Sequence, residues 1–303
     1  MIKRTLYFGN PAYLSCTEEQ LVIKIEEKTK TTPIEDLGVV IIDNPQITIS
    51  HHAIHKLLEN NCALITCNDK HMPTGLMLNL DGNTLQQERF EAQINAKQPL
   101  LKKLWKQTIE SKISNQATIL KRQNIETGNM IEWAKNVKSG DAENHESRAA
   151  VYYWKNIFKQ FPNFTRERAG LPPNNLLNYG YAILRAVTAR SLVGSGLLPT
   201  LGIHHSNKYN AYCLADDIME PYRPFVDEIV LDIIKNFKNI DEITTELKAI
   251  ILKLPVVDVL LQGEKSPLMI AMQHTTASLA RCFLEETKEI LYPEFVKFKD
   301  ISK

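Results

Sequence analysis

The first 66 residues break into short β-branched or aromatic runs separated by turn residues. Thr5-Leu6-Tyr7-Phe8, Leu21-Val22-Ile23-Lys24-Ile25, Val39-Val40-Ile41-Ile42 and Ile47-Thr48-Ile49 read as strands, punctuated by Asn, Pro and Gly. Ser50 to Asn60 reads as one short helix with Ser50 as its cap, and Ala63-Leu64-Ile65-Thr66 as a further strand. Antiparallel strands with one helix fit this pattern. From Cys67 to Asn83 turn residues surround a short apolar piece, which marks a linker. From Thr84 onward the apolar spacing becomes three-and-four. Segments 84–95, 98–125, 141–160, 174–195, 214–237, 242–254 and 266–290 read as helices, with Pro172-Pro173, Pro199, Pro255 and Pro293 in the gaps. The expected class is α+β. A β-rich domain spans 1–72, a linker 73–83, and a larger all-α domain 84–303.

Composition leaves this picture in place. The chain of 303 residues is 44% hydrophobic and 23% charged, enough apolar material for a sizeable core. Its net charge of +1 argues against a general polyanion coat, yet nucleic-acid binding depends on where charge sits. The five cysteines are scattered without a C-x-x-C pair, which suits free thiols in a reducing compartment. The N-terminus lacks the apolar core of a signal peptide, and no run reaches the roughly 18 apolar residues of a membrane span. A cytoplasmic protein without membrane association is expected.

No glycine-rich phosphate loop, nucleophile elbow or H-E-x-x-H motif is present, so any chemistry must come from dispersed residues. Glu146 shares a helix stripe with Ala149, Ala150 and Tyr153 and so points inward, where a carboxylate needs a cation or hydrogen-bond donors. A stripe-edge glutamate reaching water fits the same pattern. His204 and His205 follow a helix in a loop, where imidazole serves as metal ligand, general base or plain surface group. Asp217 and Glu220, three apart, face one way on a helix and repel unless a cation lies between them. They also suit an ordinary acidic first turn. Two carboxylates with one imidazole fit Mn²⁺ or Mg²⁺. Residues 97–122 carry six lysines and Arg122 against the single acid Glu110, a stretch able to follow a phosphate backbone. Arg89, Arg166, Arg168, Arg185, Arg190 and Arg223 add forks suited to phosphate. His51, His52, His55 and His71 lack acidic companions at metal spacing and read as structural or surface groups.

Taken in order, these segments resemble the CRISPR-associated adaptation integrase, specifically its type II branch, over nearly the whole chain. His71-Met72-Pro73-Thr74-Gly75-Leu76 is similar to the family's linker strand, and Glu88-Arg89-Phe90-Glu91-Ala92-Gln93 to its first long helix. Glu146-Ser147-Arg148-Ala149-Ala150-Val151-Tyr152-Tyr153-Trp154 resembles the first metal-ligand motif, although Ser147 stands where many members have Gly or Ala. Asn178-Tyr179-Gly180-Tyr181-Ala182-Ile183-Leu184 resembles the N-Y-G-Y-A-x-L helix. Gly202-Ile203-His204-His205 resembles the G-x-x-H motif, which selects His205, and Leu214 to Pro224 the acidic helix with its P-x-R-P turn.

The resemblance implies a metal-dependent integrase with associated endonuclease activity. Glu146, His205 and Glu220 would hold Mg²⁺ or Mn²⁺, with Asp217 as near-site support. The 3′-hydroxyls of a short prespacer duplex would be joined to the CRISPR repeat by transesterification. Arg89, Lys102, Lys103, Lys106, Arg185 and Arg223 are the expected DNA contacts. The implied partners are a second copy of the chain meeting through the β-rich domain, a small ferredoxin-like adaptor, and other type II adaptation proteins. A stand-alone nuclease on branched DNA and a non-catalytic DNA scaffold are the alternatives.

Overall fold

The computed structural model describes residues 3–161, 164–167 and 169–296. The N-terminal region holds β1 (Arg4–Phe8), β2 (Tyr13–Thr17), β3 (Gln20–Ile25), β4 (Lys28–Pro33), β5 (Leu37–Ile42), β6 (Thr48–Ile49), α1 (His51–Glu59), β7 (Ala63–Cys67) and β8 (Pro73–Met77). The helical region holds α2 (Gln86–Ile94), α3 (Gln98–Arg122), α4 (Gly128–Lys135), α5 (His145–Ile157), α6 (Asn174–Gly194), α7 (Cys213–Ile218), α8 (Arg223–Asn236), α9 (Thr245–Ile251), β9 (Asp258–Leu261), β10 (Glu264–Pro267), α10 (Leu268–Phe283) and β11 (Glu294–Phe295). The fold is α+β, as expected. Ser50 caps α1, its hydroxyl accepting the N–H of Ala53 at 3.2 Å.

Three details differ from the sequence reading. The N-terminal strands are not all antiparallel: one sheet runs β1-β5-β7-β8 with β1, β5 and β7 parallel, and the other runs β4-β3-β2-β6 with β2 and β6 parallel. The helix α1 between β5 and β7 is the crossover that parallel neighbours require. Second, the helical region is not all-α. Strands β9 and β10 form a hairpin that β11 joins, and its two-residue turn places Gln262 and Gly263 at φ 50° and 86°. Third, α4 occupies a segment where the apolar spacing marked no helix. The expected linker begins as β8, hydrogen-bonded to β7.

An unalternating run such as Val39 to Ile42 marks a strand covered on both faces. Val39, Ile41, Ala63 and Ile65 belong to the large helical core, whereas Val40 and Leu64 pack into the N-terminal core with Leu14, Leu21 and Leu57. The β1-β5-β7-β8 sheet is therefore a wall shared by two cores. On its helical side α6 is buried on nearly every face, its buried residues including Asn174, Thr188, Arg190 and Ser191 among the apolar ones. Gly180 lets it approach α8, since a Cβ there would lie 2.4 Å from Val226 Cγ1.

Buried polar groups lock these parts together. Asp43, 5% exposed, accepts from Lys248 Nζ on α9 at 2.6 Å, Tyr7 Oη at 2.5 Å and His71 Nδ1 at 2.9 Å. Burial opposes the charge of Asp43, but these partners outweigh it and hold its pKa below the ordinary value. His71 thus has an acidic companion, 28 residues away in sequence. Deeper in, Asp227 accepts from Tyr153 Oη at 2.7 Å and Tyr181 Oη at 2.5 Å, tying α5, α6 and α8. Burial raises the pKa of Asp227 to about 6, against the pull of those two hydroxyls.

Lys248→Met strands a buried carboxylate and should destabilise the chain by about 3–5 kcal/mol in urea unfolding. Adding Asp43→Asn to that variant should recover part of the loss. For Asp227 the folded-state pKa lies above the unfolded one, so the folded chain binds the extra proton between them. Stability should therefore fall as pH rises from about 4 to about 6, by on the order of 2–3 kcal/mol. Urea titrations across that range should show the slope, and Asp227→Asn should flatten it.

Candidate metal centre

The candidate residues sit on elements converging beside α3. Glu146 lies in the first turn of α5, whose entry is held by Asp141. The Asp141 carboxylate accepts the N–H groups of His145 and Glu146 at 2.9 and 3.0 Å, filling two helix-end donors. Glu220 opens a short 3₁₀ turn between α7 and α8, where Pro221 and Pro224 reset the chain direction. This break turns Asp217 and Glu220 to different partners, contrary to the expectation that they face one way along a single helix.

Glu220 and Glu146 turn to Lys112 of α3. Lys112 Nζ is 2.6 Å from Glu146 Oε1 and 2.7 Å from Glu220 Oε2. The other Glu220 oxygen is 3.0 Å from Arg223 Nη2, and Arg223 lies over the Tyr181 ring at 4.9 Å. Burial works against the charge on Glu220, yet Arg223 and Lys112 outweigh it and hold its pKa below the ordinary carboxylate range. Burial likewise opposes the Lys112 charge, and Glu220 with Glu146 overcomes it, leaving the ammonium above its usual pKa.

Asp217, fully buried, turns to the histidine loop. It accepts the backbone N–H of His204 at 2.9 Å and pairs with His205 Nδ1. That hydrogen bond raises the His205 pKa against the opposing effect of burial. It also engages Nδ1 and leaves Nε2 as the ring nitrogen without that tie. His204 instead stacks on Trp105, 4.2 Å between ring centroids and 1° from parallel, while His205 meets the same indole edge-on at 5.6 Å. Gly202 makes the loop possible: a Cβ there would lie 2.3 Å from His205 O and 2.8 Å from Asp217 Oδ2. Asp216 faces away, paired with Arg185 Nε at 2.7 Å and Nη2 at 3.1 Å.

Among the described residues, no three His, Cys, Asp or Glu side chains already converge as a metal-binding group. The donor chemistry nevertheless fits a divalent cation. Two carboxylate oxygens each grip one cation, so they lie no further apart than the sum of their distances to it. Glu220 Oε2 is buried and receives no hydrogen bond of acceptable direction, although the ammonium is close. Such an oxygen is suited to a hard cation.

Residues 6–261 match the family model described as CRISPR associated protein Cas1. The chain belongs to the Cas1 family. It is 31% identical to the CRISPR-associated endonuclease Cas1 of Neisseria meningitidis serogroup C, a similarity covering 99% of each chain. It is 26% identical to a CRISPR-associated endonuclease Cas1 of Pyrobaculum aerophilum, covering 69% of this chain and 75% of the relative. Its fold is that of a casposase bound to integration product, with a TM-score of 0.76, 20% identity and coverage of 100% of this chain and 96% of the other. A Cas1 protein from Thermotoga maritima superposes with a TM-score of 0.73, 16% identity and coverage of 98% and 100%.

Of the basic residues expected at DNA, Lys102 and Lys103 are exposed on α3, and Lys106 is half-buried beside Glu110 at 3.5 Å. Three arginines are not free forks. Arg89 donates to the backbone carbonyl Ser195 O at 2.8 Å, whereas Arg185 grips Asp216 and Arg223 grips Glu220, carboxylates whose burial calls for a cation. Lys112, one of the basic run, is buried in the site itself rather than following a backbone outside. Arg168 lies outside the described residues.

The sequence reading missed Lys112, Trp105, Asp141 and Gln93 as parts of this centre. One signal was available: Lys112 sits on the buried stripe of α3 with Trp105, Thr108, Ile109, Asn115 and Gln116, at three-and-four spacing. Gln93 of α2 donates Nε2 to Leu198 O and Leu201 O, each at 3.0 Å, and accepts Leu198 N–H at 2.9 Å. It is a clamp on the loop leading to His205. Gln93→Leu leaves those backbone groups unpartnered and should cost about 1–3 kcal/mol. Hydrogen exchange should then quicken at Leu198 and through 201–205, while α6 stays protected.

Proposed function

We propose that the chain is a metal-dependent integrase of CRISPR adaptation, with Glu146, His205 and Glu220 holding Mg²⁺ or Mn²⁺. The observation that carries the reading is the pair of glutamates drawn onto one cation beside an imidazole fixed through Nδ1 by Asp217. Once bound, the divalent ion would acidify the attacking hydroxyl and stabilise charge developing on phosphorus.

The chain's own residues prepare that chemistry. Asp217 orients the His205 ring and raises its basicity as a ligand. Asp141 and the α5 N-terminus aim Glu146, while Arg223 steadies Glu220 by its second oxygen. Lys102, Lys103 and Lys106 would hold the DNA backbone without reading sequence. The reaction is transesterification: a prespacer 3′-hydroxyl attacks a phosphodiester of the CRISPR repeat, a new P–O bond forms, and the old 3′-oxygen leaves. Water in place of that hydroxyl gives endonuclease cleavage at the same centre, the activity in the names of the Neisseria and Pyrobaculum relatives.

A second copy of the chain, meeting through the β-rich domain, and a small ferredoxin-like adaptor complete the proposed assembly. A complex named Cas6-RT-Cas1–Cas2 is among the proteins sharing this fold, with a TM-score of 0.71 over 95% of this chain. The type II placement and a role for further adaptation proteins rest on the sequence motifs. No helix among the described residues is long and apolar enough to cross a membrane.

A strand-transfer assay with a labelled short duplex and a repeat-bearing supercoiled plasmid tests the proposal. Joining should require Mn²⁺ or Mg²⁺ and disappear in EDTA. Glu146→Ala and His205→Ala should abolish it with DNA binding retained, and Asp217→Asn should lower it by about 10–100-fold. Metal-dependent cutting without joining would point to a nuclease. DNA binding with neither activity would leave a scaffold, and undiminished joining by both alanine variants would remove the site assignment.

A further inference from the structure

The cation between Glu146 and Glu220 belongs to the protein itself. Lys112 is held between the two carboxylates, its side chain 11% exposed and that of Glu220 7% exposed. A lysine on the buried stripe of a helix is costly unless its charge is matched, and here the match is the pair of ligands proposed for the divalent ion. The two contacts are unequal: Lys112 Nζ donates a hydrogen bond to Glu146 Oε1 at 2.6 Å, whereas Glu220 Oε2 sits 2.7 Å from the ammonium without receiving a well-directed one. An ammonium and a divalent ion compete for the same oxygens, because metal–oxygen contacts of about 2.0–2.2 Å leave no room for a cation in the same gap. Lysine has the stem to yield, being a compact charge on four flexible carbons.

We propose that Lys112 is a tethered placeholder cation, closing the Glu146–Glu220 pair in the metal-free protein and giving way when the divalent ion binds. This inference rests on the metal-centre reading above. It makes Lys112 a determinant of metal affinity: the lysine keeps the buried Glu220 and the half-buried Glu146 from repelling one another, and the same contact must be broken for the ion to enter. A site assembled in this way stays folded without metal and binds metal less tightly than its donor set alone would allow.

The test is direct Mn²⁺ binding to the full chain without DNA, followed by the electron paramagnetic resonance signal of free Mn²⁺. Lys112→Met removes the competitor and should tighten Mn²⁺ binding by about tenfold or more. Lys112→Arg places a stronger fork on both carboxylates and should weaken it by a similar factor. Thermal unfolding supplies a second reading: in EDTA, Lys112→Met should melt below wild type, and Mn²⁺ should raise its midpoint by more than it raises that of wild type. Glu146→Gln is the control for the centre itself and should reduce Mn²⁺ binding. If Glu146→Gln reduces binding while the Lys112 variants match wild type, the placeholder inference falls and the metal centre stands. Weaker binding by Lys112→Met would also overturn the inference, since Lys112 would then help to hold the ion. If Lys112→Met does not fold, unchanged binding by Lys112→Arg overturns it alone. Equal binding by wild type and Glu146→Gln would remove the metal centre and the inference with it.

Discussion

The helical region is organised around the need to neutralise four acids in or beside its core. Glu146, Asp216, Asp217 and Glu220 arrive from two stretches of sequence, and each is met by a partner from a different element. Lys112 of α3 reaches both glutamates, Arg223 of α8 takes the second oxygen of Glu220, Arg185 of α6 forks onto Asp216, and His205 closes on Asp217. Removing one member leaves an uncompensated charge in or beside the core, so these partners fix how the helices carrying them are placed against one another. That constraint explains why arginines suited to phosphate are instead occupied internally.

Apolar packing sets the frame in which these charges meet. The parallel strands β5 and β7 present alternate residues to two cores, so the N-terminal region cannot shift without disturbing the helices behind it. The buried α6 lies against that wall and presents Arg185 near one end of the centre. The Asp43–Lys248 pair and the Gln93 clamp connect the periphery to this frame, one fastening α9 to the β-sheet and the other fixing the path of the chain toward His205.

Much of the fold could be read from periodicity alone. The change from short β-branched or aromatic runs to three-and-four spacing near Thr84 divides β-rich from helical sequence, and Ser50 marks the start of α1. Topology was less accessible, because Val39 to Ile42 records burial on both faces but not which strand lies alongside. The β9–β10 hairpin was overlooked although Gln262-Gly263 stands between its strands, since the helical spacing on either side masked four-residue strands. Among the candidate residues, Glu146, His205, Asp217 and Glu220 were individually visible, and their motifs in order led to the family.

The sequence by itself determined that Glu146 lies on a stripe with Ala149, Ala150 and Tyr153, and that Lys112 shares the spacing of the apolar stripe of α3. Only the tertiary structure decided that both turn inward and that Lys112 pairs with Glu146 and Glu220 together. The physical reason is distance along the chain: Lys112 and Glu220 lie more than a hundred residues apart, and no local spacing encodes an ion pair that forms only when α3 packs against the turn before α8. The same holds for Asp217, whose separation from Glu220 suggested a shared cation until the helix ended at Ile218 and turned the two acids to different partners.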